Sequence, residues 1–492
     1  MKGFFIYLFS VLTFVQFSCA QKVNGWYYPW MNSLNNLVKA GLNDTVPLLK
    51  GGVNYRIFKV SNESDLYIQL KENKNFDKNL KVELFSVPVI KNYKGQSILD
   101  VLYPLSDSTI VIKPKTTSYF LVKFACSVPG YYKYSFHLRG GRLGSTEYTQ
   151  NIFVGNSTSV YPFPLNVWAY FDYPLIANLS GKVLVDLRNH GVNVLVIPPS
   201  KLGGIENPDG MRDTELKLYL DKANNDKKFD YYLLFLNYRN LSGDSKVLGD
   251  TWKKNFIKWY NNIMNYLKEK EIDLQDVYLY PYDEPSILDA QNFVKIKEWC
   301  DLNGVKAKFY TTIDKTETLD LINYADIAQI KNNEQLLATL SERKNGKNKS
   351  KLWIYDVFSG SRNQAPINYL SLAWKSVFYE LNGYGIWNYA DVANGFEKKQ
   401  LESIKSENSQ LGFWNLTPTQ NNRDYSLIYR RGNSIFPSLR WEAAYYAKED
   451  FAFLSLYCRY YGIKNTRGLI NALIERRESL SKWEKIKLSL LR

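Results

Sequence analysis

The residues best equipped for chemistry stand together in Asp283-Glu284-Pro285, directly after the apolar run Val277-Tyr-Leu-Tyr280. Two adjacent carboxylates repel, so in a partly desolvated pocket one of them keeps its proton near neutral pH. A protonated carboxyl beside an ionised one suits general acid–base work on a glycosidic oxygen. Pro285 disfavours helical backbone in the residue before it, which predicts an extended Glu284. The plainer alternative is that both acids merely approach a helix N-terminus, where the dipole favours negative charge. Their setting favours chemistry. Rings and carboxylates recur at the ends of the other apolar runs: Trp168, Tyr170 and Asp172; Asn237, Tyr238 and Arg239; Tyr282; Thr312 and Asp314; Tyr355 and Asp356; Trp387, Asn388 and Asp391. Aromatic faces can seat a pyranose ring while carboxylates handle protons.

The elements that must position these residues alternate strand and helix after Pro164. Candidate strands cover 165–170, 193–197, 229–237, 276–282, 306–312, 326–330, 351–357 and 383–389, with helical periodicity between them, as in 252–268 and 366–381. Ser286-Ile-Leu-Asp289 predicts a capping box opening a helix that ends at Asn303-Gly304. Eight such strands with intervening helices predict a (β/α)8 TIM barrel, whose chemistry sits where the strands end. A doubly wound sheet is disfavoured because no Gly-rich phosphate loop follows any strand. From 24 to 155 the pattern is different: short alternating runs such as 66–70, 81–85, 110–112 and 119–124. Val128-Pro129-Gly130 reads as a hairpin turn into 131–138. This predicts an all-β sandwich, joined to the barrel by a linker at 155–164. Helices over 438–461 and 467–490 are assigned to the barrel domain, which then spans 165–492.

Composition narrows the function. The 492 residues are 45% hydrophobic and 23% charged, a globular balance. The net charge of +15 comes without a compact Lys/Arg block, so a nucleic-acid groove is not expected, although attraction to an anionic glycan stays open. With two His, and His190 beside the helix-ending Gly191, neither a metal site nor a Ser-His-Asp triad finds support, and no cofactor is expected. Residues 1–20 have the layout of a secretory signal peptide, with Lys2 before an apolar run. Ser18-x-Ala20 suits cleavage before Gln21; Cys19 offers lipidation and an outer-membrane anchor instead, although Gln16 and Phe17 make a poor lipobox. The expected location is therefore secreted or periplasmic, with no integral membrane span. Cys126, Cys300 and Cys458 are far apart and read as free thiols.

Three stretches resemble glycoside hydrolase family 123 and its related bacterial barrel domains. Asp276-Val-Tyr-Leu-Tyr-Pro-Tyr-Asp-Glu-Pro285 looks like the family's strand-four motif, Gly383-Tyr-Gly-Ile-Trp-Asn388 like its last barrel strand, and Ser438-Leu-Arg-Trp-Glu442 with Glu449-Asp450-Phe451 like its closing helix. Tyr429-Arg-Arg-Gly432 departs from a Tyr-Pro-Gly segment of the family by lacking the Pro. The resemblance implies a substrate-assisted exo-β-N-acetylgalactosaminidase, in which the substrate's own 2-acetamido oxygen attacks the anomeric carbon. Asp283 would then orient the acetamido group and Glu284 act as general acid/base. Trp387, Tyr355, Tyr282, Asn388, Trp168 and Asp356 are the candidate sugar contacts, by their position on the rim.

Two other readings stay open. Asp356, at the end of the seventh strand, could be a separate nucleophile in a retaining glycosidase, with Glu284 as its acid/base. A non-catalytic surface glycan-binding protein is the other.

Overall fold

The computed structural model describes residues 21–31, 33–41, 44–73, 77–106, 109–140, 145–158, 163–208, 213–224, 228–240, 246–343, 350–392, 396–406, 409–416, 424–476 and 479–492. The expected signal peptide and Cys19 lie outside them. The chain divides into two compact units, one formed by 1–161, 365–367 and 436–492, the other by 162–364 and 368–435.

The first unit contains a sandwich of a six-stranded and a five-stranded sheet. The centre of the larger sheet is the eleven-residue pair Gly52–Asn62 and Thr116–Cys126, antiparallel along its whole length. Phe58 of that sheet stacks on Phe136 of the other at 4.5 Å, and Trp26 and Phe120 pack around Phe58. Burial of such rings supplies the apolar area that holds two sheets face to face. The turn at Val128-Pro129-Gly130 is not a hairpin. The strand before it lies in the six-stranded sheet, while Gly130–Gly140 pairs with Ile68–Glu72 and Ser145–Thr158 in the five-stranded one. A Pro-Gly turn reverses the chain equally well between sheets as within one. The strand Ser145–Thr158 also runs through the first residues of the expected linker.

The C-terminal helices, expected with the barrel, group with the sandwich unit. The reason is a set of buried charges. Ser438 caps the helix by accepting from Trp441 N–H, Arg440 pairs with Asp100 at 2.9 Å, and Glu442 accepts from Tyr55 and Lys123. Further on, Lys487 is buried between Asp450 and Glu484, and Glu484 also meets Arg56 at 2.8 Å. Removing one member of such a network leaves an uncompensated buried charge, which ties the helices to these strands. The helix breaks at Gly462, where φ is 80°, and a separate helix covers Ser479–Leu491.

The second unit carries eight parallel strands: β1 Leu165–Val167, β2 Val194–Ile197, β3 Tyr231–Phe235, β4 Val277–Tyr280, β5 Tyr310–Ile313, β6 Ile327–Lys331, β7 Lys351–Asp356 and β8 Gly383–Ile386. Their ladders run in order, with β8 beside β1. A single bridge, Leu279 to Phe309, joins β4 to β5 and nearly closes the barrel. Helices α1 Ser180–Asn189, α2 Asp213–Asn224, α3 Asp250–Glu269, α4 Ile287–Leu302, α5 Glu334–Arg343 and α6 Pro366–Phe378 connect the strands. Between β5 and β6 the connection is a 3-10 segment, Thr316–Asn323, in place of an α-helix. The barrel interior is largely aromatic: Trp168, Tyr278, Tyr280, Tyr310 and Trp353 share it with Val194, Val196, Leu233 and Ile327. One polar layer crosses it, in which Asn166 donates to Gln329 at 3.0 Å and Tyr310 donates to the same oxygen. Gly385 faces this layer, where a Cβ would stand 1.9 Å from Gln329 Nε2.

Among the described residues no helix is long and apolar enough to cross a membrane, and no group of His, Cys, Asp and Glu could hold a metal ion. Cys126, Cys300 and Cys458 are free thiols.

Candidate functional site

The site begins with Tyr280. Side chains alternate along a strand, and Tyr278 and Tyr280 of β4 both point into the barrel. The Tyr280 hydroxyl donates to Asp283 Oδ1 at 2.5 Å. From β5, the Thr312 hydroxyl donates to the same oxygen at 2.9 Å and accepts the Glu284 N–H at 2.6 Å. One hydroxyl thus fixes the carboxylate of Asp283 and the backbone of Glu284, at the seam where β4 and β5 share a single bridge.

Glu284 is not extended. Its φ is +43°, in the left-handed region that side chains rarely occupy. Such a residue costs about 1–3 kcal/mol unless its surroundings fix it. Here they do. Thr312 holds the N–H, and Arg239 donates to the carbonyl oxygen at 2.8 Å while its Nε meets Asp289 at 2.9 Å. Asp289 in turn completes the expected capping box with Ser286 at the head of α4, which ends at the cap residue Asn303. The preference imposed by Pro285 is overridden by contacts from β5 and from the turn after β3. The Glu284 carboxylate is held as well: Oε1 accepts from Tyr355 of β7 at 2.6 Å and from Lys331 of β6 at 3.1 Å.

Asp283 and Glu284 are each partly exposed, so both are within reach of a ligand. Burial pushes the Asp283 carboxyl above the usual aspartate range; the Tyr280 and Thr312 hydrogen bonds oppose that rise, and the Glu284 charge adds to it. Tyr355 is pushed far up by its own burial and by Glu284 beside it, so its hydroxyl stays a donor. Asp314, past β5, keeps a buried Oδ1 with no hydrogen-bond partner among the described residues, and it lies 3.7 Å from the Lys315 ammonium.

The other candidates divide. Trp168 and Trp387 pack at 5.7 Å, and Trp168 also lies 6.4 Å from Tyr355, so these three rings line the same end of the barrel as the acidic pair. Trp387 is partly open, whereas Trp168 is 2% exposed and forms the floor. Tyr282 is withdrawn. A strand over 276–282 places it on the rim as the last residue, but β4 ends at Tyr280, and the ring packs on Tyr238, which meets Trp252 of α3. Asn388 is fully buried: its side-chain oxygen accepts from Ala390 and Asp391 N–H, and its amide donates to Tyr173. It shapes the loop after β8 and is withdrawn from a ligand. Asp356 is engaged as well, accepting from Asn332 at 2.6 Å and from the N–H groups of Val357 and Phe358.

Lys331 was missed because the sixth strand was read one residue short, ending at Ile330. A lysine closing a buried apolar strand, Ile327-Ala-Gln-Ile-Lys331, was the available signal. A cavity of about 390 Å³ also opens at the ends of β2 and β3, lined by Gly203, Glu206, Phe235, Asn237 and Tyr238 among others. Asp283 and Glu284 are not among its walls; Phe235, 4.7 Å from Tyr280, lies between.

No protein-family model and no curated protein matches the chain. Among solved structures, it is similar to a family 123 glycoside hydrolase from Clostridium perfringens, with TM-score 0.64 and 14% identity over 96% of this chain and 97% of that one. A family 39 glycoside hydrolase from Bacteroides cellulosilyticus also matches, at TM-score 0.38 and 11% identity over 83% and 82%, a likeness too distant to carry argument. The chain therefore has a glycoside hydrolase-like fold.

Proposed function

We propose that this chain is a glycoside hydrolase that removes terminal β-linked N-acetylgalactosamine, or a related hexosamine, from glycans by a substrate-assisted retaining mechanism. The observation that carries the reading is the pair itself: two adjacent, partly exposed carboxylates at the end of β4, each held by different partners. Asp283, fixed on one oxygen, accepts the acetamido N–H and aims the acetamido oxygen at the anomeric carbon. Glu284 gives its proton to the leaving oxygen as that bond breaks, then takes one from the water that opens the cyclised intermediate. Trp387, partly open, is the proposed sugar contact, with the buried Tyr355 and Trp168 behind it. The overall likeness to a family 123 structure supports this reading, as does the strand-four motif.

Asp356 suits a nucleophile less well, because Asn332 and two backbone N–H groups already occupy both its oxygens. The test is a panel of aryl β-glycosides with and without a 2-acetamido group, together with a thiazoline mimic of the cyclised intermediate. Cleavage confined to 2-acetamido glycosides and inhibition by the thiazoline are expected. Cleavage of sugars lacking that group, through a trapped glycosyl-enzyme, would move the nucleophile to Asp356. No cleavage and binding alone would make the protein a glycan-binding one. An export signal at 1–20, whether ending in cleavage or in a lipid anchor at Cys19, is proposed with this function because it would bring the site to extracellular glycans.

A further inference from the structure

Lys331 has so far held no part in the proposed chemistry, yet its ammonium stands 3.1 Å from Glu284 Oε1. Every neighbour of that carboxylate bears on what the ammonium does. From β7, Tyr355 donates to the same oxygen at 2.6 Å. Asp283 precedes Glu284 in the chain, and Asp314, past β5, acts on Tyr355 through space. From the turn after β3, Arg239 engages the Glu284 carbonyl, not its carboxylate, and is already paired with Asp289. Thr312 touches only the backbone N–H of Glu284. Among the described residues, Lys331 is therefore the cation paired with the Glu284 carboxylate. Both partners are about one-third exposed, at 34% and 33%, so the pair is neither buried structure nor free surface.

We propose that Lys331 is a positioning residue for the acid–base step. With Tyr355 it pins Oε1, which leaves Oε2 to exchange the proton, and it stabilises the carboxylate that Glu284 becomes. This rests on Glu284 being the acid. In that step the acetamido oxygen attacks the anomeric carbon, and the electrons of the breaking bond go to the leaving oxygen. That oxygen takes the proton from Oε2. The negative charge left on Glu284 is shared with Oε1, where the ammonium and the Tyr355 hydroxyl already wait. Donors aimed at charge that develops only in the transition state accelerate the step without reorganising.

The experiment compares wild type, Lys331→Met, Lys331→Arg and Glu284→Gln by kcat/KM. It uses an alkyl and an aryl glycoside of whichever sugar wild type cleaves. Lys331→Met is expected to lose about two- to fivefold on the alkyl glycoside, the range for a partly exposed ion pair. It should lose little on the aryl one, which needs little proton donation. Lys331→Arg should keep the rate on both. A uniform loss over both leaving groups, or no loss on the alkyl one, would reduce Lys331 to a structural ion pair and overturn the proposal. Glu284→Gln separates the two ideas. If it leaves alkyl cleavage intact, the acid assignment falls and takes this inference with it; if it abolishes alkyl cleavage while Lys331→Met affects both leaving groups alike, only the inference falls.

Discussion

Replacing Tyr280 by Phe removes one oxygen from the barrel and tests what that hydroxyl does for Asp283. In the proposed mechanism Asp283 works as a carboxylate, so activity is lost as pH falls through its titration. Burial already raises that titration above the ordinary aspartate range, and the hydrogen bonds from Tyr280 and Thr312 hold the rise in check. Both donors favour the ionised form; removing one lets the carboxyl rise further. The sign is then fixed: the acidic limb of kcat/KM moves to higher pH in Tyr280→Phe. A hydrogen bond to a charged group contributes about 1.5–3 kcal/mol. At 1.36 kcal/mol per unit this corresponds to a shift of roughly 1–2 units. The lower end is expected, because Thr312 still donates to the same oxygen at 2.9 Å.

Fold and packing should survive, since Tyr280 is 1% exposed and the substitution keeps its ring against Phe235 and Tyr310. The assay is the pH dependence of kcat/KM on an aryl 2-acetamido glycoside, with the thermal midpoint as a check on folding. Well above the limb the variant should approach wild-type rate. An unmoved limb, or one that moves to lower pH, would mean that Asp283 is not the group titrating there.

Three further outcomes are expected. Glu284→Gln should lose roughly 100- to 10,000-fold on poor alkyl leaving groups while sparing a good aryl one, whereas Asp283→Asn should lose rate on both, read as kcat/KM across a leaving-group series. Glu449, whose buried carboxyl is pushed up to about 8 mainly by desolvation, keeps in the folded chain a proton that the unfolded chain releases from about pH 4.5. Its contribution to stability is fully present below that pH and is lost by pH 8 at roughly 1.4 kcal/mol per unit, so chemical denaturation should show Glu449→Gln gaining on wild type as pH rises. Gly385→Ala should destabilise by about 1–3 kcal/mol in a denaturant titration, because the new methyl would overlap Gln329 in the polar layer of the barrel.

All eight barrel strands were legible because each is a short apolar run bounded by turn residues, a pattern that buried parallel strands impose on any sequence. The capping box at Ser286 was legible for the same local reason. What the sequence hid was decided by contacts distant along the chain. Pro285 speaks for an extended Glu284, but Thr312 and Arg239, 28 and 45 residues away, hold it left-handed. Tyr282 keeps the spacing of Tyr278 and Tyr280, yet the strand stops before it and its ring turns to the helices. Ser438-Leu-Arg-Trp-Glu442 follows the last barrel strand in sequence, but its charged side chains find their partners in Asp100, Tyr55 and Lys123 of the sandwich unit.

The same distinction bears on the two acids, to which the family resemblance assigns separate jobs but the residues alone do not. Adjacent carboxylates differ in role when their surroundings differ, and here the surroundings come from different strands. Asp283 receives neutral hydroxyls from β4 and β5 and lies deep enough for burial to raise its carboxyl. Glu284 receives a hydroxyl from β7 and an ammonium from β6, both on one oxygen. A group that must accept an amide N–H gains from fixed neutral donors, which hold its lone pairs in place without cancelling its charge. A group that must give up a proton and take it back gains from a cation beside the charge it acquires, and from one oxygen left unengaged. The proposed division of labour rests on which strand ends adjoin each side chain. It predicts two separable effects, a moved acidic limb in Tyr280→Phe and a loss confined to poor leaving groups in Lys331→Met.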